Sequence, residues 1–381
     1  MKKRAWGKKD KRGNGMVLFL LLAAASVVFC KEILIDRQIG KTTQEEVRIN
    51  NENQEAIQVS ADGDFIKWVD FNITCEALGK AYELDVASYR DEVHVDWIEL
   101  LAYVGARHGG KFDKSCVAEL QATAEKLQAK ETTIAKLTKD MEYYDYYEEA
   151  YRAVLGGMVG EFSLEVPVGS DEDSTAKQDS KTGESVQSGN HQAKEWRDFY
   201  GLKAFSPIAK GFEYSHYDDF GSARSYGYSR PHLGHDMMGQ IGTPIIAIES
   251  GVVEALGWNQ YGGWRIGIRS FDGKRYYYYA HLRQNFPYNK SLEEGSIVTA
   301  GDVIGYMGHT GYSTEENVNN IEVVHLHWGL QLIFDESQKD SDNEIWIDCY
   351  ELTKFLYRNR SEVWKEVETK EWHRVYDMKE K

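Results

Sequence analysis

The hydrophobic pattern predicts helices in the first half of the chain. Apolar residues recur at helical spacing and end at a glycine pair, a typical helix stop: Trp97, Leu100, Leu101 and Val104, then Gly109 and Gly110. Residues 115–141 are rich in Ala, Glu, Lys and Leu, which predicts a solvated helical hairpin. Five tyrosines in residues 143–151 predict a helix packed on one side. We therefore predict a helical domain of unknown function over residues 62–165.

Short strand-like runs separated by glycine turns dominate the second half. The runs cover residues 244–248, 251–256, 264–269, 275–280, 303–307 and 323–333. Regular strand and turn spacing with few helices indicates an antiparallel sheet or sandwich. We predict a mainly antiparallel β domain over residues 196–345, so the fold class is α+β and multidomain.

Two further segments border the β domain. Residues 166–195 are rich in Ser, Thr, Asp, Gly and Gln without apolar periodicity, which predicts a disordered linker. The C-terminal segment, residues 346–381, is predicted to be helical. Its amphipathic pattern runs through Leu352, Phe355, Leu356, Val363, Trp364 and Val367.

The N-terminus carries an export signal. A basic segment, residues 1–15, precedes an uncharged apolar run over residues 16–30. Positive residues before such a run stay in the cytoplasm, so the chain after residue 30 is predicted to lie outside it. We expect an uncleaved membrane anchor, followed by a polar spacer over residues 31–61. The alternative is a cleaved signal peptide and a secreted protein.

The net charge argues against a nucleic-acid partner, and the cysteine spacing argues against a cysteine metal site. The formal net charge is −16, although the N-terminal segment is basic, so the remaining chain is strongly acidic. An acidic surface repels phosphate backbones, and we expect no nucleic-acid partner. The 4 cysteines lack CxxC spacing, which favours packing residues over a cysteine metal site or a disulfide framework.

The segment His325-Leu326-His327 is the strongest chemical signal. It lies in an apolar run with strand character, where alternate side chains share a face. Both imidazoles should therefore point the same way, with Leu326 and Trp328 on the opposite face. Two imidazoles aimed at one spot are typical of a transition-metal site or of proton transfer.

A second pair of candidate metal ligands, His232 and Asp236, lies upstream. Their spacing also places two side chains on one face, and Pro231 and Gly234 favour extended chain over a helix. Two histidines and one carboxylate are the ligands expected of a catalytic zinc that keeps a position open for water.

Together with a third histidine, these motifs resemble a known family. The chain reads His232-Leu-Gly-His-Asp236, then Tyr279-Ala-His281-Leu, then His325-Leu-His327, with glycine-rich framing turns between them. This order resembles the lysostaphin/LytM-type zinc metallopeptidases, which are bacterial cell-wall endopeptidases. The resemblance spans roughly residues 205–331.

The resemblance implies a role for each residue. His232, Asp236 and His327 would bind one zinc ion, and His281 and His325 would be the catalytic imidazoles. The sequence does not decide which imidazole accepts a proton and which one stabilises the oxyanion or protonates the leaving amine. His235 stands where the family has an aliphatic residue, and its odd spacing predicts a structural role on the opposite face.

The predicted function is a membrane-tethered zinc endopeptidase that hydrolyses peptide bonds in peptidoglycan stems or cross-bridges. The rival hypothesis is a non-catalytic zinc-binding scaffold or an activator of other cell-wall hydrolases. The helical domain is a candidate for binding a protein partner. Asp96 and Glu99 could suggest a glycosidase carboxylate pair, but solvated helical acids are the simpler interpretation.

Overall fold

The computed structural model describes residues 69–169, 193–225, 229–339, 341 and 343–381. All of these residues belong to one compact unit. Within them, no helix has the length and apolar content required to cross a bilayer. The predicted anchor, residues 16–30, and the predicted spacer lie outside the described residues.

Six helices form in the described chain, five of them before the first strand. They are α1 (Cys75–Ser88), α2 (Trp97–His108), α3 (Lys114–Gln128), α4 (Ile134–Thr138), α5 (Tyr144–Leu155) and α6 (Tyr350–Leu356). The predicted helix at Trp97 is confirmed: the Asp96 side chain accepts hydrogen bonds from Ile98 N and Glu99 N, and Gly109 ends the helix at φ 60°. Asp96 is thus a helix cap, a structural role, although the sequence predicted a solvated acid within the helix.

A sheet of eight antiparallel strands forms the body of the second half. Its strands are β3 (Ser215–His216), β6 (His235–Met238), β8 (Gly251–Asn259), β9 (Gly263–Ser270), β10 (Arg275–Ala280), β11 (Ile297–Val298), β13 (His325–Leu332) and β14 (Ile345–Ile347). The order is β11-β8-β9-β10-β13-β6-β3, and β14 also pairs with β13. The predicted fold class, α+β with a mainly antiparallel β domain, is confirmed.

The remaining strands form smaller sheets. Their strands are β1 (Val159–Pro167), β2 (Lys194–Leu202), β4 (Ala223–Ser225), β5 (Ser229–Pro231), β7 (Pro244–Ile246), β12 (Val303–Tyr306), β15 (Val363–Lys365), β16 (Trp372–Arg374) and β17 (Met378–Glu380). They form the sheet β17-β1-β2 and the two-stranded pairs β12-β7, β15-β16 and β4-β5.

Strand β1 corrects the predicted end of the helical domain and the start of the linker. It pairs with β2 from Val159 opposite Leu202 to Pro167 opposite Lys194. From Phe162 onward β1 alternates apolar and polar residues, which is the strand period rather than the helical one. The two ends of the predicted linker are therefore strand, and its centre, residues 170–192, lies outside the described residues.

The prediction of a helical C-terminal segment is wrong beyond Leu356. Helix α6 holds Leu352, Phe355 and Leu356, but Val363 and Trp364 lie on β15. The Asn359 amide donates to the carbonyls of Leu202 and Ala204, and Arg360 donates to those of Ala209 and Phe212. These bonds direct the chain away from a helical path.

The helices and the main sheet share apolar contacts. Phe355 of α6 packs against Trp97 of α2 and Tyr82 of α1, with ring centroids 5.8 and 5.9 Å apart. One buried cluster contains residues of both parts, including Leu101 and Trp328. The division into separate domains stays a prediction.

A buried ion pair also joins the two parts. Arg275 on β10 binds Glu249 through two hydrogen bonds of 2.7 and 3.0 Å, and donates to the Ala153 carbonyl of α5 at 2.9 Å. Tyr277 donates to the same carboxylate at 2.7 Å. Burial alone would lower the pKa of Arg275, but the charge of Glu249 raises it above its ordinary value. Arg275 therefore stays charged, and its bond to Ala153 fixes α5 against the strand that leads to His281.

Replacing Arg275 by methionine should destabilise the protein strongly. The substitution leaves the Glu249 carboxylate buried without its partner, which costs about 3–5 kcal/mol in the free energy of unfolding. Urea denaturation followed by tryptophan fluorescence measures the change. The control is Arg152→Met, because Arg152 pairs with Glu148 but is 41% exposed, so its loss should cost about 1 kcal/mol or less. Equal losses in both variants would contradict this interpretation.

Candidate metal centre and active site

Three neighbouring strands bring the predicted site residues together. On β13, His327 lies opposite Asp236 of β6 on one side and opposite Ala280 of β10 on the other. Directly opposed residues of antiparallel strands project from the same face of the sheet. The structure therefore assembles Asp236, His327 and the end of β10 at one point, and His325 joins them by alternation.

The opposite face of β13 is core, as predicted. Leu326 and Trp328 are fully buried there. These side chains fix the register, because a shift by one residue would turn both apolar side chains towards the site and both histidines into the core.

His232, Asp236 and His327 form a set of potential metal ligands. Their donor atoms are nearly equidistant: His232 Nε2 lies 3.0 Å from Asp236 Oδ1 and 3.0 Å from His327 Nδ1. His327 Nδ1 lies 2.9 Å from Asp236 Oδ1. Two tetrahedral ligands with bonds of about 2.0–2.1 Å are roughly 3.3 Å apart, so this triangle fits three ligands of one zinc ion. Among the described residues, these three alone are grouped closely enough for a metal ion.

The prediction that His232 and Asp236 share one strand is wrong. β5 ends at Pro231 and β6 begins at His235, so His232 lies in the intervening bend. Gly234 makes this bend possible, because a Cβ atom there would lie 2.5 Å from the His327 ring. The imidazole of His327 occupies the space that any other residue would fill with a side chain.

The protonation states of this group suit metal binding. Burial raises the pKa of Asp236, but hydrogen bonds from His232 and His327 outweigh it and lower the pKa below its ordinary value. Burial lowers the pKa of His327. Asp236 is therefore ionised and His327 neutral at neutral pH, the forms in which these side chains bind a cation.

Sequence reasoning missed a second layer of contacts behind the ligands. The Nδ1 atom of His232 lies 3.3 Å from the Asp219 carbonyl oxygen, and the tautomer with its proton on Nδ1 leaves Nε2 for the metal position. Arg224 forms an ion pair with Asp219 and donates to Asp236 Oδ2 at 2.9 Å, which leaves Oδ1 for the metal position. Such contacts fix the orientation of metal ligands. Asp219 and Arg224 lie close to the glycine-rich framing segment but match no motif by themselves.

His281 and His325 lie beside the ligand set. Their ring centroids are 4.7 Å apart, and His325 Nε2 is 3.7 Å from Asp236 Oδ1. Each Nδ1 faces a backbone carbonyl: that of Thr310 at 2.9 Å for His281, and that of Val323 at 2.8 Å for His325. If each Nδ1 carries the proton, as these contacts favour, both Nε2 atoms are free to accept one.

The backbone at His281 is unusual. Its φ is 61°, a left-handed conformation that is rare for a non-glycine residue. The residue after Ala280 would face away from His327 in a regular strand, so this conformation redirects the imidazole towards the site. Gly308 holds the arrangement, since its N–H donates to the His281 carbonyl at 3.1 Å and its carbonyl accepts from His325 N at 3.2 Å.

His235 lies on the opposite face, in agreement with its predicted structural role. It is buried, and its Nε2 lies 2.8 Å from Nδ1 of His216. Burial lowers the pKa of His235 to about 3, so it stays neutral. His235 packs against Tyr350 of α6 and thus supports the strand that carries Asp236.

Comparisons with known proteins find similarity to peptidases in the region that contains this site. Residues 230–341 match the model of Peptidase family M23. The L-Ala–D-Glu endopeptidase of Bacillus subtilis is 39% identical over 124 residues, which cover 32% of this chain and 36% of that protein. Lysostaphin of Staphylococcus simulans is 42% identical over 89 residues, 23% of this chain and 17% of that protein. The matched region is therefore similar to M23 peptidases, and the predicted resemblance to the lysostaphin/LytM type is confirmed.

The matched segments are short compared with the full relatives. The chain spans about a third of the length of the Bacillus relative and under a fifth of lysostaphin. The solved structure of a lytM protein from Ruminococcus gnavus ATCC 29149 is 23% identical, with a TM-score of 0.45, over 79% of this chain and 92% of its own.

Gly234→Ala should impair metal binding, because a Cβ atom there would meet both the His327 ring and, at 2.9 Å, the Trp328 carbonyl oxygen. The added methyl group would displace the His327 imidazole, so we expect zinc affinity to fall about 10- to 100-fold, as for other losses of ligand orientation. Competition with a chromogenic chelator measures this affinity. Gly160→Ala is the control, since a Cβ atom there meets only Lys203, at 3.6 Å. Unchanged affinity in Gly234→Ala would show that this bend does not position His327.

Proposed function

We propose that this protein is a zinc metalloendopeptidase that hydrolyses peptide bonds of peptidoglycan. One observation carries the proposal: two histidines and an aspartate converge within 4.8 Å, next to two further imidazoles. The match to Peptidase family M23 and the similarity to lysostaphin and to an L-Ala–D-Glu endopeptidase support the substrate class.

His232, Asp236 and His327 would hold the zinc ion. Bound there, zinc would lower the pKa of a coordinated water and polarise the scissile carbonyl. The protein contributes one negative charge and two neutral imidazoles, and Arg224 and Asp219 keep these ligands in place.

The two remaining imidazoles move protons. His325 Nε2 lies 3.7 Å from Asp236 Oδ1, and we assign to it the acceptance of the proton of the attacking water. His281 lies beside it, and burial lowers the pKa of this imidazole well below its ordinary value. The proton that His325 takes from water is the one that reaches the leaving amine, and a neutral His281 can take it up at Nε2 and deliver it. The backbone carbonyls of Thr310 and Val323 keep both rings oriented throughout.

Single alanine substitutions separate metal binding from catalysis. His325→Ala and His281→Ala should retain one zinc per chain and lose about 10²- to 10⁴-fold in kcat, the usual contribution of a general acid or base. His232→Ala should lose zinc as well as activity. Atomic absorption measures the metal, and mass spectrometry of fragments released from defined muropeptides measures cleavage.

His373→Ala is the matched control, because His373 lies on β16 and stacks on Trp364, away from the site. Full cleavage by His325→Ala would refute the assigned proton transfer. Wild-type protein that holds zinc but releases no fragment would favour the scaffold hypothesis.

We propose further that residues 16–30 anchor the protein in the cell membrane, with the peptidase domain outside the cytoplasm. The support is the sequence alone, in which an uncharged apolar run follows a strongly basic segment. Peptidoglycan lies outside the cytoplasm, so this location gives the peptidase access to the proposed substrate.

Cell fractionation tests the location. The full chain, produced in a bacterium, should remain in the membrane fraction and be digested by protease added to wall-free cells. A variant that lacks residues 2–30 should stay inside the cells and resist the protease. A shortened chain in the medium would instead indicate a cleaved signal peptide, and a protected full chain would refute export.

A further inference from the structure

Arg230 lies in the site region, and its side chain contacts aromatic rings and a phenolic hydroxyl. It lies on β5, two residues before His232. Its Nη2 atom donates to the Tyr312 hydroxyl at 2.7 Å. Its guanidinium also lies over two rings, 5.5 Å from the centroid of Tyr312 and 5.6 Å from that of Tyr261.

This placement is close to the catalytic imidazoles. The ring of Tyr312 is 6.0 Å from the ring of His281, so a single side chain separates the guanidinium from His281. Tyr278 lies on the same side, with its ring 6.0 Å from that of His327. Burial raises the pKa of Tyr278, and the charges of Arg265 and Arg230 act against this effect. Positive charge therefore borders the metal centre on this side.

No carboxylate of the described residues neutralises Arg230. Other arginines of this half do have such partners: Arg224, Arg269, Arg275 and Arg374 all pair with an aspartate or glutamate. The sequence contains no acidic residue between Asp219 and Asp236. In a chain with a net charge of −16, a guanidinium near the active site without an acid is available to an anionic ligand.

The contacts of Arg230 also restrain its side chain before an anionic ligand binds. Two aromatic faces and one hydroxyl restrict the side chain, so less conformational entropy is lost when it binds. A guanidinium has five N–H donors, and one bond to Tyr312 leaves others free for a carboxylate. A lysine would lack the planar fork that binds both carboxylate oxygens.

We propose that Arg230 binds a free carboxylate of the substrate peptide beside the scissile bond. The domain would then select an acidic stem peptide, such as one with a D-glutamyl residue, over a neutral glycine bridge. The inference rests on the proposed peptidase function and specifies its substrate. A charge-assisted bond of this kind contributes about 1.5–3 kcal/mol, which corresponds to roughly 10- to 150-fold in kcat/KM.

Cleavage of matched peptides by the full-length, zinc-loaded protein tests the proposal. The first peptide is a stem peptide that contains L-Ala–γ-D-Glu with its free carboxyl group. The second is the same peptide with this carboxyl group converted to an amide. The third is pentaglycine. Wild-type protein should cleave the carboxylate peptide at least about 10-fold more efficiently than the amide, mainly through KM. Arg230→Gln should lower this ratio to near 1. Arg230→Lys should restore part of the preference.

Arg107→Gln is the matched control, because Arg107 also stacks on a tyrosine and donates to its hydroxyl, in α2. Its carboxylate-to-amide ratio should equal that of the wild type. An unchanged ratio in Arg230→Gln, or wild-type preference for pentaglycine, would overturn the inference and leave the peptidase function intact. Absence of cleavage of all three peptides by the zinc-loaded wild type would instead refute the proposed function.

A second measurement does not depend on how the variant folds. A non-cleavable analogue of the stem peptide should inhibit the wild type more strongly with its free carboxylate than as the amide, by about 10-fold or more. Equal inhibition by the two forms would overturn the assignment of Arg230.

Discussion

The site depends on the register between β6 and β13. His327 lies directly opposite Asp236, and this pairing alone brings a nitrogen and an oxygen ligand within 2.9 Å across two strands. Fully buried Leu326 and Trp328 hold the register, because a one-residue shift would expose both. The same apolar contacts that stabilise the sheet thus determine the geometry of the metal centre.

The sequence predicted the strand-borne part of this arrangement well. Alternation along β13 is a local property, so the common face of His325 and His327 follows from the residues alone. The helix at Trp97 was equally predictable, because its spacing, its Asp96 cap and its terminal glycine agree. In these segments local preference and tertiary structure favour the same conformation.

Where the prediction failed, contacts distant in sequence decide the conformation. His232 leaves the strand at a bend that exists because the His327 ring occupies the space beside Gly234. Val363 and Trp364 fit a helical pattern, but Asn359 and Arg360 bind carbonyls more than 140 positions away. The contacts of Asp219 and Arg224 also arise only in the folded chain. None of these partners is visible in a local pattern.

The arginines near the candidate metal centre and in the core differ in how their charge is neutralised. Arg224 is neutralised on both sides, by Asp219 and Asp236, and therefore orients a ligand without adding net positive charge to the metal position. Arg275 is neutralised by Glu249 in the core. Arg230 differs because its restraints are aromatic rings, which hold a cation in place but do not cancel its charge. No carboxylate of the described residues cancels this charge beside the imidazoles, which is why we associate it with substrate rather than with folding.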